Sequence, residues 1–91
     1  MDFSKFKKST TSVWGGESDL KVNGAVTSPI VNSVAFAYND VDHWHEVSLG
    51  KAEGYIYSRN TNPTVAVLEE KIRLLEGAEA ATSFATGMAA I

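Results

Sequence analysis

The segment from Asn62 to Gly77 constrains this chain most, because both ends of a helix are written into it. The Asn62 side chain can accept from the unpaired N–H groups of a first helical turn. Pro63 has its φ preset for the first helical position and lacks an N–H that would go unpaired there. Gly77 supplies the stop, since glycine takes the left-handed conformation at little steric cost. Between these marks Val65, Leu68, Ile72 and Leu75 recur at helical spacing and define one apolar stripe. Glu69 and Arg73 are spaced for an i,i+4 ion pair on the solvent side, where Lys71 falls as well. Such a helix needs a surface to receive its stripe.

The segments flanking the helix read as two halves of an anion site. In YIYSRNT, Tyr57 and Arg59 stand two apart in a run that reads as extended, which puts a phenol and a guanidinium on the same side. After the helix, Thr82, Ser83 and Phe84 read as a short strand running into Ala85, Thr86 and Gly87, and Met88 to Ile91 begins an apolar helix. Strand, glycine turn and helix start in that order leave unpaired backbone N–H groups facing whatever lies above the helix, most commonly phosphate. In isolation neither half is decisive. A Tyr two residues from an Arg is more often a surface pair, and a lone Gly before a helix is more often a turn device. Met88 reads as core through its side chain and as functional only through its backbone N–H.

Together, the runs YSRNTNPT, LEEKIRLLEGAEAA and ATGMAAI resemble the N-terminal part of the Cys/Met-metabolism (trans-sulfuration) family of pyridoxal-phosphate enzymes. That family includes cystathionine γ-synthase, cystathionine γ-lyase, methionine γ-lyase and O-acetylhomoserine sulfhydrylase. The resemblance is strong over Tyr55 to Ile91 and continues more weakly back to about Gly24 through GAVTSPIVNSVAFAY. It implies an α/β fold, as a fragment of an aspartate-aminotransferase-like (fold type I) enzyme. Residues 1–62 would form an N-terminal arm and extended region, and 63–91 the start of the cofactor-binding large domain. The implied cofactor is pyridoxal 5'-phosphate. Tyr57 and Arg59 would hold its phosphate in the neighbouring subunit's site. Thr86, Gly87 and Met88, standing where the family has Ser-Gly-Met, would hold the phosphate bound in their own subunit, and Thr86 keeps the hydroxyl.

The implied activity is γ-substitution or γ-elimination on sulfur or homoserine-derived amino acids, carried out by a dimer or tetramer together with the remainder of the enzyme chain or a complementary chain. A non-catalytic assembly or regulatory remnant is the alternative. Two departures stand out. Many members have Gly where this chain has Thr61, so a loop free to use positive φ in relatives must be built differently or be less strained here. The family's Schiff-base lysine, its aspartate partner of the pyridine nitrogen and its ring-stacking tyrosine have no counterpart in these residues, so no catalytic residue is assigned. The ending GMAAI, in the first turn of an apolar helix, is expected of part of a larger enzyme.

Residues Met1 to Asn23 mix charge, Ser/Thr and Gly without a sustained period and read as an arm anchored by Trp14, with Gly15 and Gly16 as a flexible exit. Gly24 to Tyr38, rich in Val, Ala and Thr around Pro29, reads as extended and edge-like. In DVDHWHEV, His43, His45, Asp42 and Glu46 crowd together. The spacing nonetheless favours a helix capped by Asp40 or Asp42 with Trp44 packed inward, rather than a metal site, which needs three or four converging ligands. Gly50 to Gly54 reads as a turn.

A formal charge of −3 with interspersed signs gives no basic field for nucleic acid. The absence of cysteine removes any disulfide framework or thiol nucleophile and suits a reducing compartment. No apolar run approaches membrane-spanning length, and Lys5, Lys7 and Lys8 lead into polar STTS rather than a signal-peptide core. The expectation is a soluble, cytoplasmic protein without a membrane partner.

Overall fold

The computed structural model describes residues 2–17 and 22–91; the parts of the N-terminal arm at residues 1 and 18–21 lie outside the described residues. A single turn of tight helix at Phe3–Lys5 is followed by α1 (Lys8–Trp14), α2 (Val41–Ser48), α3 (Pro63–Glu76) and the short α4 (Gly87–Ala90). α3 forms as its punctuation dictates. Asn62 sits in the extended region and its side chain accepts from Thr64 N at 2.8 Å. Gly77 closes the helix at φ 65°, ψ 31°, left-handed, and Ala78 N returns to Arg73 O at 3.0 Å. The 14 residues make a rod about 21 Å long.

The surface that α1 meets on α3 is not the expected stripe. Gly15 and Gly16 are buried against Val67, Glu70, Lys71 and Leu74. A Cβ on Gly16 would stand 2.7 Å from Val67 O, and Gly16 itself is at φ 80°. Positions 67, 71 and 74 form an i, i+4, i+7 row, so the absence of side chains at the two glycines decides which face α1 can approach. Lys71 then reaches across: its Nζ donates to Glu17 Oε2 at 3.1 Å and to Val13 O at 3.3 Å, so it is an anchor and not a solvent-facing side chain. Trp14 stays exposed, and the glycines hold the arm where the indole was expected to. Val65, Leu68 and Ile72 remain 42%, 53% and 46% exposed, so within the described residues most of the apolar stripe is only about half covered.

Polar cross-links join the extended run before α2 to the segment leading into α3. Ala35 and Tyr57 form one antiparallel bridge, with Phe36 N donating to Ile56 O at 3.1 Å and Ser58 N to Val34 O at 2.7 Å. The Tyr38 hydroxyl donates to Tyr55 O at 2.8 Å and accepts from Tyr55 N at 3.1 Å. Val31 N donates to Thr64 Oγ1 at 2.8 Å. The extended reading of this region agrees with the structure. Among the described residues, strand pairing is confined to that bridge, and no sheet is completed.

Other expectations need correction. Asp40 caps α2, accepting from Asp42 N at 3.0 Å, but Trp44 is exposed and Val47 is the buried residue, packed beneath Gly54. Trp44 lies three residues before Val47, and on so short a helix the closest approach of the Gly54 backbone selects the smaller side chain. Thr82 to Phe84 is not a strand. Ser83 instead donates both its N–H and its hydroxyl to Glu69 Oε1, at 2.9 and 2.8 Å. That use of Glu69 undoes the expected Glu69–Arg73 pair. Arg73 turns to Glu70, making a two-pronged contact at 2.7 Å on each arm, and also donates to Ala78 O at 3.1 Å. The Arg73 hydrogen bond holds the Glu70 carboxyl below its ordinary pKa of 4.5.

Two tests follow. Gly16→Ala is expected to destabilise the protein by about 1–3 kcal/mol, because it combines positive φ with overlap on Val67 O. Gly24→Ala, at φ 71° with nothing within 4 Å of its Cβ, carries strain alone and costs less. The comparison is made by urea midpoint or by amide-exchange protection over α1, and equal losses would show that contact with α3 plays no part. The Glu70 carboxyl, with its folded pKa depressed, contributes stability that is complete above its ordinary pKa and lost as pH falls through the lower folded value. Glu70→Gln is therefore expected to weaken the acid limb of the stability curve, and an unchanged limb would show that the Arg73 contact contributes nothing.

Candidate functional site

The first half of the site is built on a turn. Tyr57 is half-buried and fixed by its bridge to Ala35. The chain then folds back, with Asn60 N and Thr61 N both donating to Tyr57 O, at 3.0 and 3.1 Å. Arg59 thus lies in a turn and not in the extended run expected for it. The two side chains meet for a different reason: the turn lays the guanidinium over the phenol ring, Arg59 Cζ standing 4.7 Å from the ring centroid. Among the described residues the only non-glycine at positive φ is Asn23, so Thr61 is accommodated without left-handed backbone. Arg59 is exposed and, among the described residues, pairs with no carboxylate.

The second half is the start of α4. Thr86 is extended, at φ −140°, ψ 155°, and its Oγ1 accepts from Ala89 N at 3.1 Å. This use of one lone pair leaves the hydroxyl proton available for donation. The N–H groups of Gly87 and Met88 have no acceptor among the described residues, as first-turn groups do not. A Cβ on Gly87 would meet nothing within 4 Å, so the space before these donors is open. The Met88 side chain is 77% exposed and does not pack as the core residue expected, because the described chain places nothing over it.

No hydrogen bond, ion pair or cavity joins the two halves among the described residues. An open groove of about 750 Å³ lies between the C-terminal end of α2 and the turn, lined by Val47, Gly54, Tyr55, Ile56, Asn60 and Thr61, but by none of the five candidate residues. The two halves share chemistry rather than space. A guanidinium, a phenol, a hydroxyl and two backbone N–H groups are all donors, with no carboxylate among them, which is the donor set a phosphate requires. The residues present therefore fit the phosphate of pyridoxal phosphate. His43 lies edge-on to Tyr38 with ring centroids 5.1 Å apart, and among the described residues no three His, Cys, Asp or Glu side chains converge.

A residue the sequence reading did not single out, Ser58, and a bond of Asn62 beyond its capping role support the first half. Ser58, between Tyr57 and Arg59, and the capping Asn62 are bonded side chain to side chain, Asn62 Nδ2 to Ser58 Oγ at 3.0 Å. The i,i+4 spacing of Ser and Asn inside YSRNTN was the available signal.

Comparison with known proteins agrees with the resemblance. Residues 9–91 match the family model for the Cys/Met metabolism PLP-dependent enzymes. The chain is 36% identical over 86 residues to an L-methionine gamma-lyase of Pseudomonas deceptionensis, covering 94% of this chain and 22% of that protein. It is 38% identical over 81 residues to an O-acetyl-L-homoserine sulfhydrylase of Corynebacterium glutamicum, covering 89% and 18% respectively. The crystal structure of metB from Corynebacterium glutamicum superposes with a TM-score of 0.78 at 33% identity, over 99% of this chain and 22% of that one. The expected fold class, a portion of a fold type I enzyme, agrees with that superposition. The chain thus spans about a fifth of the length of these relatives. Among the described residues no helix is long and apolar enough to cross a membrane.

The stacked pair is directly testable. Tyr57→Leu should abolish the upfield ring-current shift of the Arg59 side-chain protons in NMR spectra, while Tyr57→Phe, which retains an aromatic face, should keep it. Loss of the shift in Tyr57→Phe would mean that the hydroxyl, not the ring, holds the guanidinium.

Proposed function

The chain belongs to the family of Cys/Met metabolism PLP-dependent enzymes, and from that premise we propose that it is the N-terminal portion of an enzyme that makes or breaks bonds at the γ-carbon of sulfur or homoserine-derived amino acids. Its contribution is to hold the phosphate of pyridoxal 5'-phosphate. When bound, the cofactor supplies the electron sink for the reaction, and the protein positions it through the phosphate. Residues 1–62 serve as arm and extended region, and 63–91 begin the cofactor-binding domain. The enzyme works as a homo-oligomer in the cytoplasm.

In this reading Arg59 takes two phosphate oxygens with its fork, and Tyr57 both donates its hydroxyl and supports the guanidinium from below. Gly87 and Met88 donate backbone N–H groups, and Thr86 its hydroxyl. The reading is carried by one observation: each of five positions in two clusters presents a donor and none a carboxylate, and Arg59 is left without a carboxylate among the described residues. That no bond or cavity joins the two clusters among the described residues, although the chain doubles back along α3 far enough to bring Ser83 onto Glu69, supports a site shared by two subunits. Tyr57 and Arg59 come from one subunit, Thr86, Gly87 and Met88 from the other.

Subunit complementation tests the arrangement. Full-length enzyme carrying Arg59→Ala is mixed, under conditions shown independently to exchange subunits, with enzyme inactivated at the lysine that the family's chemistry requires. With a shared site, each mixed dimer has one site bearing both defects and one bearing neither, so up to half the wild-type activity should return. If Arg59 serves its own subunit, every site carries a defect and no activity returns.

A further inference from the structure

Asn62 caps α3, yet its amide does more than capping requires. The side chain is buried and three of its four hydrogen-bonding positions are used. Oδ1 accepts from Thr64 N at 2.8 Å, while Nδ2 donates to Val31 O at 3.1 Å and to Ser58 Oγ at 3.0 Å. The orientation is unambiguous, because a backbone carbonyl cannot donate and so must face the nitrogen. Ser58 continues the network: its hydroxyl donates to Ser33 O and its backbone N–H to Val34 O. Three segments thus meet at two side chains, the extended run 31–34, the turn 57–61 and the first turn of α3. Ser58 separates Tyr57 from Arg59, so fixing it fixes the stretch of backbone from which both candidate phosphate ligands project.

We propose that the Ser58–Asn62 cross-link is a positioning device for anion binding, holding the Tyr57–Ser58–Arg59 turn so that the Arg59 guanidinium stays poised over Tyr57. This inference rests on the assignment of Tyr57 and Arg59 to the cofactor phosphate. Neither Ser58 nor Asn62 touches the ligand in it. An arginine on a loose loop would have to be ordered at the moment of binding, with loss of side-chain and backbone freedom, and a turn bracketed by bonds at Tyr57, Ser58 and Asn62 has lost that freedom on folding.

The plain alternative is that Asn62 only caps α3. Two variants separate the roles. Asn62→Ser keeps a neutral capping oxygen but loses the reach to Val31 and Ser58. Ser58→Ala leaves the cap intact. In full-length enzyme stripped of cofactor, the Kd for pyridoxal phosphate, read by fluorescence titration, is expected to rise about three- to tenfold in each, with helix content unchanged by circular dichroism. Ser58→Thr, which retains the hydroxyl, should bind as wild type does.

The deciding measurement repeats Ser58→Ala and Asn62→Ser in an Arg59→Ala background. A device that acts chiefly through Arg59 has only the Tyr57 hydroxyl left to position there, so the further change in Kd should shrink well below that seen in the wild-type background. Should either variant fold poorly, the other and its double variant decide. An equal loss in both backgrounds, or no loss in the wild-type background, would overturn the inference. If Arg59→Ala itself leaves the Kd unchanged, it is the phosphate assignment that fails.

Discussion

The structure depends most on one amide. Asn62 satisfies an N–H of the first turn of α3 and at the same time ties that turn to Val31 and Ser58, so the start of the helix, the extended run and the turn carrying Arg59 cannot shift independently. Hydrophobic burial does little of this holding, since Phe3 and Val47 are the buried apolar side chains among the described residues. Each internal hydrogen bond contributes only about 1 kcal/mol net, because water competes for the same groups. Several such bonds converging on a buried amide matter beyond their sum, because breaking one leaves another group buried and unpaired.

α3 has two faces with different fates. The row Val67, Lys71, Leu74 receives α1 because Gly15 and Gly16 permit backbone contact. The row Val65, Leu68, Ile72 remains about half exposed. Hydrophobicity alone would have chosen the second row, whereas close approach chose the first: a pair of glycines brings backbone within van der Waals reach of the helix, and Lys71 closes the contact with Glu17 and the Val13 carbonyl. Any burial of the second row must come from surface beyond the described residues.

What was legible in the sequence is what local rules determine. Asn62, Pro63 and Gly77 marked α3 at both ends, and Asp40 or Asp42 the start of α2, of which Asp40 is the cap, because capping and left-handed closure are decided within a few residues. Choices among several available partners were not legible. Glu69 could pair with Arg73 or with Ser83, and the path of the chain after Gly77 brings Ser83 within reach, which frees Arg73 for Glu70. Trp44 could pack inward or stay out, and the approach of Gly54 favoured Val47. The Tyr57–Arg59 pairing was anticipated, but through strand alternation. The turn that produces it depends on Ser58 and Asn62 reaching residues 25 and 31 positions earlier, and no short window along the sequence contains both ends of such a bond.

The same dependence bears on the proposal that this turn holds an anion. Stacking an exposed guanidinium on a half-buried phenol is worth only about 0.5–1 kcal/mol, too little to hold a long side chain against the entropy of its rotamers unless the backbone beneath is already fixed. Here it is fixed, by the bridge at Tyr57 and by bonds at Ser58 on both its backbone and its hydroxyl. A carboxylate partner would have ordered Arg59 as well, but it would also have neutralised the charge that a phosphate needs to find. Among the described residues Arg59 pairs with no carboxylate, so ordering by a ring and by neutral hydrogen bonds leaves its charge available for the anion proposed above, and that is the physical reason the polar cross-link and the stacked pair would belong to one arrangement.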